Sequence, residues 1–117
     1  MATRHLSIQD STTHLPQSNG DVDYEQVFTA PELNLDTRPF LSYRVTPSGP
    51  PVTLQIDLNG TQIVSETFQT TQSRVLNEIF DLNILLAQGN NTLVVRRQAG
   101  PGSFAISDLI MMYPADS

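Results

Sequence analysis

The sequence predicts an all-β protein, a single antiparallel β-sandwich, and three observations carry that prediction. Val52-Thr-Leu-Gln-Ile-Asp-Leu58 alternates strictly, with Val52, Leu54, Ile56 and Leu58 on one face and Thr53, Gln55 and Asp57 on the other. That is the period of a strand with one face in a core. Asn59-Gly60 follows at once, a dipeptide suited to a type I′ hairpin because both central residues of that turn need positive φ. Short strand-like runs then recur every ~8 to 12 residues with no long helical period, which is the spacing of a sandwich.

Taken in order, Leu6 and Ile8 alternate with polar neighbours and predict a first strand over His5–Gln9. Residues 10–23 are polar and turn-rich and read as a long surface loop. Glu25–Ala30 and Arg38–Thr46 are the next strands; Leu41, Tyr43 and Val45 share one face of the second. Pro47-Ser-Gly-Pro-Pro51 breaks the chain before the Val52 strand, and Thr61–Phe68 pairs back across the Asn-Gly turn. After a loop at Thr70–Ser73 comes a strand over Arg74–Leu82, then one helical turn at Asn83–Gln88 with Gly89 as its left-handed exit. Thr92–Gln98 and Ser103–Tyr113, joined by Ala99-Gly-Pro-Gly102, complete the domain.

A chain of 117 residues is one domain. Its net charge is −6 and all six basic residues are arginines scattered along the chain. Phosphate binding needs concentrated cations, so nucleic acid is an unsuitable partner, as is an anionic membrane surface. No apolar run reaches the ~18 residues of a membrane span, so no membrane insertion is expected. The absence of cysteine excludes disulfides, thiol catalysis and Cys-based zinc sites. Met1–Ile8 lacks an apolar h-region, so no secretory signal is visible; localisation stays open between the cytoplasm and export without such a signal.

Leu86, Gly89, Asn91, Leu93 and Val95 in Leu-Leu-Ala-Gln-Gly-Asn-Asn-Thr-Leu-Val-Val fall on the places of an L-x-x-G-x-N-x-L-x-V pattern. Together with a strand ending in Leu-Asn-Gly and the closing Ile106-Ser-Asp-Leu-Ile110, this resembles the galactose-binding-domain-like jelly rolls. That superfamily includes the carbohydrate-binding modules of glycoside hydrolases. The resemblance covers roughly Arg38–Tyr113 and implies a jelly-roll β-sandwich that binds carbohydrate without catalysing its cleavage. The chain departs from the sugar-binding pattern in having no Trp for stacking on pyranose rings.

The resemblance also implies a structural Ca²⁺ between an N-terminal acidic loop and an Asp of the last strand. Asp21, Asp23 and Glu25 would supply the loop, and Asp108 the strand ligand; Ca²⁺ takes several hard oxygen donors. Solvated acids with an Asp bonding nearby backbone are the competing explanation for the loop, and an ion pair to Arg44, Arg96 or Arg97 is that for Asp108; no EF-hand spacing is present. Asp108 stands in a line with Phe104, Ile106, Ile110 and Met112, where an unpaired carboxylate is costly unless a partner, a metal or a bend in the strand relieves it.

Arg96 and Arg97 are adjacent on a strand and so point to opposite faces, one of them toward a ligand-binding surface. Asp21, Asp23, Tyr24, Arg96 and Arg97 are the candidate ligand residues, with Tyr24 as the stacking ring. His5 and His14 have no zinc spacing, and no Ser has a nucleophile context. The expected function is a non-catalytic, lectin-like carbohydrate-binding protein. The rival is a structural or adaptor subunit whose sandwich makes protein–protein contacts. Strict alternation along the last strand would place Leu109, Met111 and Tyr113 opposite the Phe104 line, leaving both sides apolar. Something must then cover the outer side, and a second subunit is expected to do so, making the chain a homo-oligomer.

Overall fold

The computed structural model describes residues 2–9, 11–30, 38–49, 51–80, 84–85 and 89–115, with backbone alone at 2–6, 9, 114 and 115. Nine strands are present among the described residues: β1 (Ala2–Gln9), β2 (Thr13–Leu15), β3 (Val22–Phe28), β4 (Phe40–Ser48), β5 (Val52–Leu58), β6 (Thr61–Phe68), β7 (Arg74–Ile79), β8 (Asn91–Arg97) and β9 (Ser103–Ala115). They form two antiparallel sheets. One runs β1-β9-β4-β7 with β2 also on β9; the other runs β3-β8-β5-β6.

The core lies between the sheets. Leu54, Ile56, Leu58, Leu93 and Val95 face Leu41, Tyr43, Val45, Phe104 and Ile106, all essentially inaccessible. Each such side chain contributes about 1.5–3 kcal/mol of burial. The predicted alternation of the Val52 strand holds at every residue, buried inward and half-buried outward.

Asn59 and Gly60 have φ of 51° and 83°, as a type I′ turn requires. Asn59 does more than turn the chain. Its amide nitrogen donates to the Ile84 carbonyl at 2.6 Å and to Asn91 Oδ1 at 2.9 Å, and its Oδ1 accepts from the Thr92 N–H at 2.8 Å. This fastens the hairpin to the start of β8, where Asn91 is fully buried. Gly89 has φ of 84°, the left-handed exit expected of it. The helical turn expected at Asn83–Gln88 lies outside the described residues except for Ile84 and Leu85.

Several boundaries differ from expectation: β1 begins at Ala2, β3 ends at Phe28, and β4 runs Phe40–Ser48 and so takes in Pro47. The stretch 10–23 is not all loop: Thr13–Leu15 forms β2 on β9, and Leu15 is buried. Only one of its three residues is apolar, so periodicity had no purchase there. β3 starts at Val22, which places Asp23, Tyr24 and Glu25 on a strand rather than in an acidic loop.

The larger correction concerns β9. Asp108 has φ of +55° and sits in a β-bulge: Ser42 pairs with Ile110 and Arg44 with Ser107, so Asp108 and Leu109 together face Tyr43. The extra residue reverses the parity of the strand. Phe104 and Ile106 point inward before it, and Leu109, Met111 and Tyr113 point inward after it. Ile110 and Met112 therefore belong to the outer face, and Asp108 is exposed. Of the three ways to relieve an Asp in that line, the chain uses the bend. The interface expected over Leu109, Met111 and Tyr113 is thereby corrected, because these residues fill the chain's own core.

Candidate functional site

Along β8, Leu93 and Val95 point into the core, and Arg97 follows them on the same face. It is completely buried, yet no carboxylate pairs with it among the described residues. Five backbone carbonyls surround its guanidinium instead. Nη1 donates to Gln98, Gly100 (3.4 Å) and Gly102 (3.3 Å), while Nη2 donates to Ser18 (3.1 Å) and Gly20 (2.9 Å). Among the described residues its Nε has no partner. A planar fork is the side chain suited to this task, since it reaches two chain segments at once.

The result is a fixed loop. Residues 98–102 are held to residues 18–20 across the end of the sandwich, and an isolated bridge between Ser18 and Gly100 adds to the tie. The Ala99 N–H donates to Asp21 Oδ1 at 2.9 Å. Gly102 packs against β5 so closely that a Cβ there would lie 2.6 Å from the Pro51 carbonyl oxygen. Depressions flank this loop on both sides. One, an open groove of about 700 Å³, is lined by Gln17, Ser18, Asn19, Ala99, Gly100 and Pro101. The other, of about 340 Å³, includes Thr53, Thr67, Gln69 and Gln98 in its lining.

Arg96 points the other way, onto the outer face of the β3-β8-β5-β6 sheet. The register places Asp23 of β3, Arg96 of β8 and Gln55 of β5 in one row. Arg96 Nε donates to Asp23 Oδ1 at 2.9 Å and Nη1 to Asp57 Oδ2 at 3.1 Å. Gln55 donates to Asp57 Oδ1 at 3.1 Å and accepts from Gln98 Nε2 at 3.0 Å. Asp23 first, then Asp57, holds the guanidinium still more firmly protonated than a free arginine. The row ends at Gln98, where the groove-forming loop begins. The ladder thus runs into the smaller of the two depressions, whose lining includes Gln98.

Of the residues singled out from sequence, Asp23 and Arg96 meet in this ladder, and Asp21 supports its loop. Arg97 lies beneath the surface rather than on it. Tyr24 is half-buried and packed against the core, so its ring is not presented as a platform. Glu25 is exposed beside Val94 in the register of β3 and β8. Asp108 sits in the other sheet. Among the described residues no three His, Asp or Glu side chains are grouped to hold a metal ion. The donor set Asp21, Asp23, Glu25 and Asp108 therefore does not fit a Ca²⁺, because Asp23 is spent on Arg96 and Asp108 stands apart on β9. Asp57, Gln55 and Gln98 were missed from sequence. Their outward parity was readable, but the adjacency of β5 and β8 was not.

No family model matches the chain, and no curated protein matches it. Solved structures do. The CBM36-1 domain of a multidomain xylanase from the hindgut metagenome of Trinervitermes trinervoides is 12% identical, with TM-score 0.57 over 99% of this chain and 100% of that one. A family 35 carbohydrate binding module from Clostridium thermocellum is 15% identical, with TM-score 0.56 over 96% of this chain and 99% of that one. Dimeric latent PorU from Porphyromonas gingivalis is 11% identical, with TM-score 0.57 over 92% of this chain; the chain spans only 13% of PorU's length. At these identities the likeness is one of fold.

Proposed function

From the galactose-binding-like jelly roll that the chain shares with carbohydrate-binding modules, we propose that it is a non-catalytic carbohydrate-binding domain. The observation that carries this reading is the polar surface at one end of the sandwich. The loop 98–102, clamped from beneath by Arg97, stands between an open groove and a smaller depression that adjoins the Asp23–Arg96–Asp57–Gln55–Gln98 ladder. Sugar hydroxyls both donate and accept, so they suit a surface where carboxylates, amides and a guanidinium are already ordered by one another. Preorganisation limits the entropy lost on binding. No step requires a metal, and the ladder's two carboxylates are both engaged with Arg96 rather than free for acid–base chemistry.

Isothermal titration against a panel of soluble polysaccharides tests the reading. Saturable binding competed by the free oligosaccharide, and weakened at least tenfold by Arg96→Ala or Gln98→Ala, supports it. A native protein that binds none of the panel, or one bound equally well by both variants, counts against it. The adaptor reading also has an observation in its favour: Val75 and Ile79, 57% and 64% exposed, lie along the strand that ends the first sheet.

A further inference from the structure

We infer that β7 is a self-recognition edge, through which two copies of this chain join their sheets about a twofold axis at Leu76. Among the described residues β7 pairs only with β4 and ends its sheet. The Phe80 N–H donates to the Pro39 carbonyl, and hydrogen-bonded pairs alternate along an antiparallel ladder. Arg74, Leu76 and Glu78, opposite Val45, Tyr43 and Leu41, therefore exchange bonds with β4. The backbone N–H and C=O groups of Val75, Asn77 and Ile79 face away from it, and all three residues are exposed. No Lys or Pro guards this edge.

The charges on the strand choose the partner. Arg74 and Glu78 lie four residues apart, too far to meet along an extended strand. Neither has an ion-pair partner among the described residues; Arg74 only lies over the Phe68 ring at 6.0 Å. A lone charge on an edge strand opposes edge pairing. Two opposite charges at this spacing instead select one antiparallel register. With Leu76 on the axis, Arg74 of each copy stands opposite Glu78 of the other. Both Val75–Asn77 pairs then exchange backbone bonds, and Leu76 meets its own counterpart. The edge is complementary to itself, as a twofold contact demands.

Light scattering over a concentration series, with charge reversal, is the test. The native chain should rise from 12.9 kDa toward twice that mass with concentration. Arg74→Glu and Glu78→Arg should each stay monomeric, because each places like charges opposite in both pairs. An equimolar mixture of the two variants should dimerise again, since both pairs regain opposite signs. That rescue also shows that the variants are folded. A native chain that stays monomeric would overturn the inference. So would a dimer that survives either reversal, or a mixture that remains monomeric.

Discussion

Arg97 and Ser18, 79 positions apart in the sequence, are joined by a hydrogen bond of 3.1 Å from a buried guanidinium to a backbone carbonyl. With its four companion bonds, this contact makes one side chain the common anchor of two loops. Arg97→Leu leaves those carbonyls without a donor and should cost more than about 3 kcal/mol. Arg97→Lys should recover little, because an ammonium cannot span both loops. Urea denaturation measures this; a loss under about 1 kcal/mol would mean that water replaces the guanidinium freely.

At the bulge, positive φ is the determining constraint. Asp108→Asn and Asp108→Gly should fall within about 1 kcal/mol of the native chain, since both residues visit the left-handed region. Asp108→Val should cost about 1–3 kcal/mol through backbone strain. Melting curves of the three variants, with and without chelator, check this. A chelator-dependent shift abolished by Asp108→Asn would restore a metal role to that carboxylate.

Asn59 combines a left-handed backbone with bonds to Ile84, Asn91 and Thr92. Asn59→Gly keeps the first and loses the second, whereas Asn59→Ala loses both. The glycine variant should lose about 1–3 kcal/mol and the alanine variant about 1 kcal/mol more. Equal losses would show that the turn conformation carries no strain.

Burial, reinforced by Glu78 and Glu66, pushes the Tyr43 phenol above its ordinary value near 10. The folded state therefore keeps a proton that the unfolded chain releases. Stability from this source is complete below about pH 10 and declines as pH rises beyond it. Denaturation between about pH 9 and 11 should show that decline, and Tyr43→Phe should flatten it. An unchanged slope in the variant would place the alkaline sensitivity elsewhere.

Much of the fold was legible because its strands alternate cleanly and its turns use residues with a conformational reason to be there. Asn59-Gly60 and Gly89 are such residues. The bulge was half legible: Asp108 interrupted an apolar line, and Asp tolerates positive φ, but strict alternation was carried through it. Arg97 could have been placed, since it shares parity with Leu93 and Val95. What no parity reveals is that its partners are carbonyls from residues 18–20. The ladder stayed hidden for a related reason, because long-range register brings Asp23 and Asp57 to either side of Arg96.

Ala2 pairs with Ala115, whereas the groove lies where β9 begins, at the opposite end of a body 45 Å long. The first and last strands thus leave side by side, pointing away from the polar surface. A tether fused to either side of the domain would carry the groove outward in the same orientation.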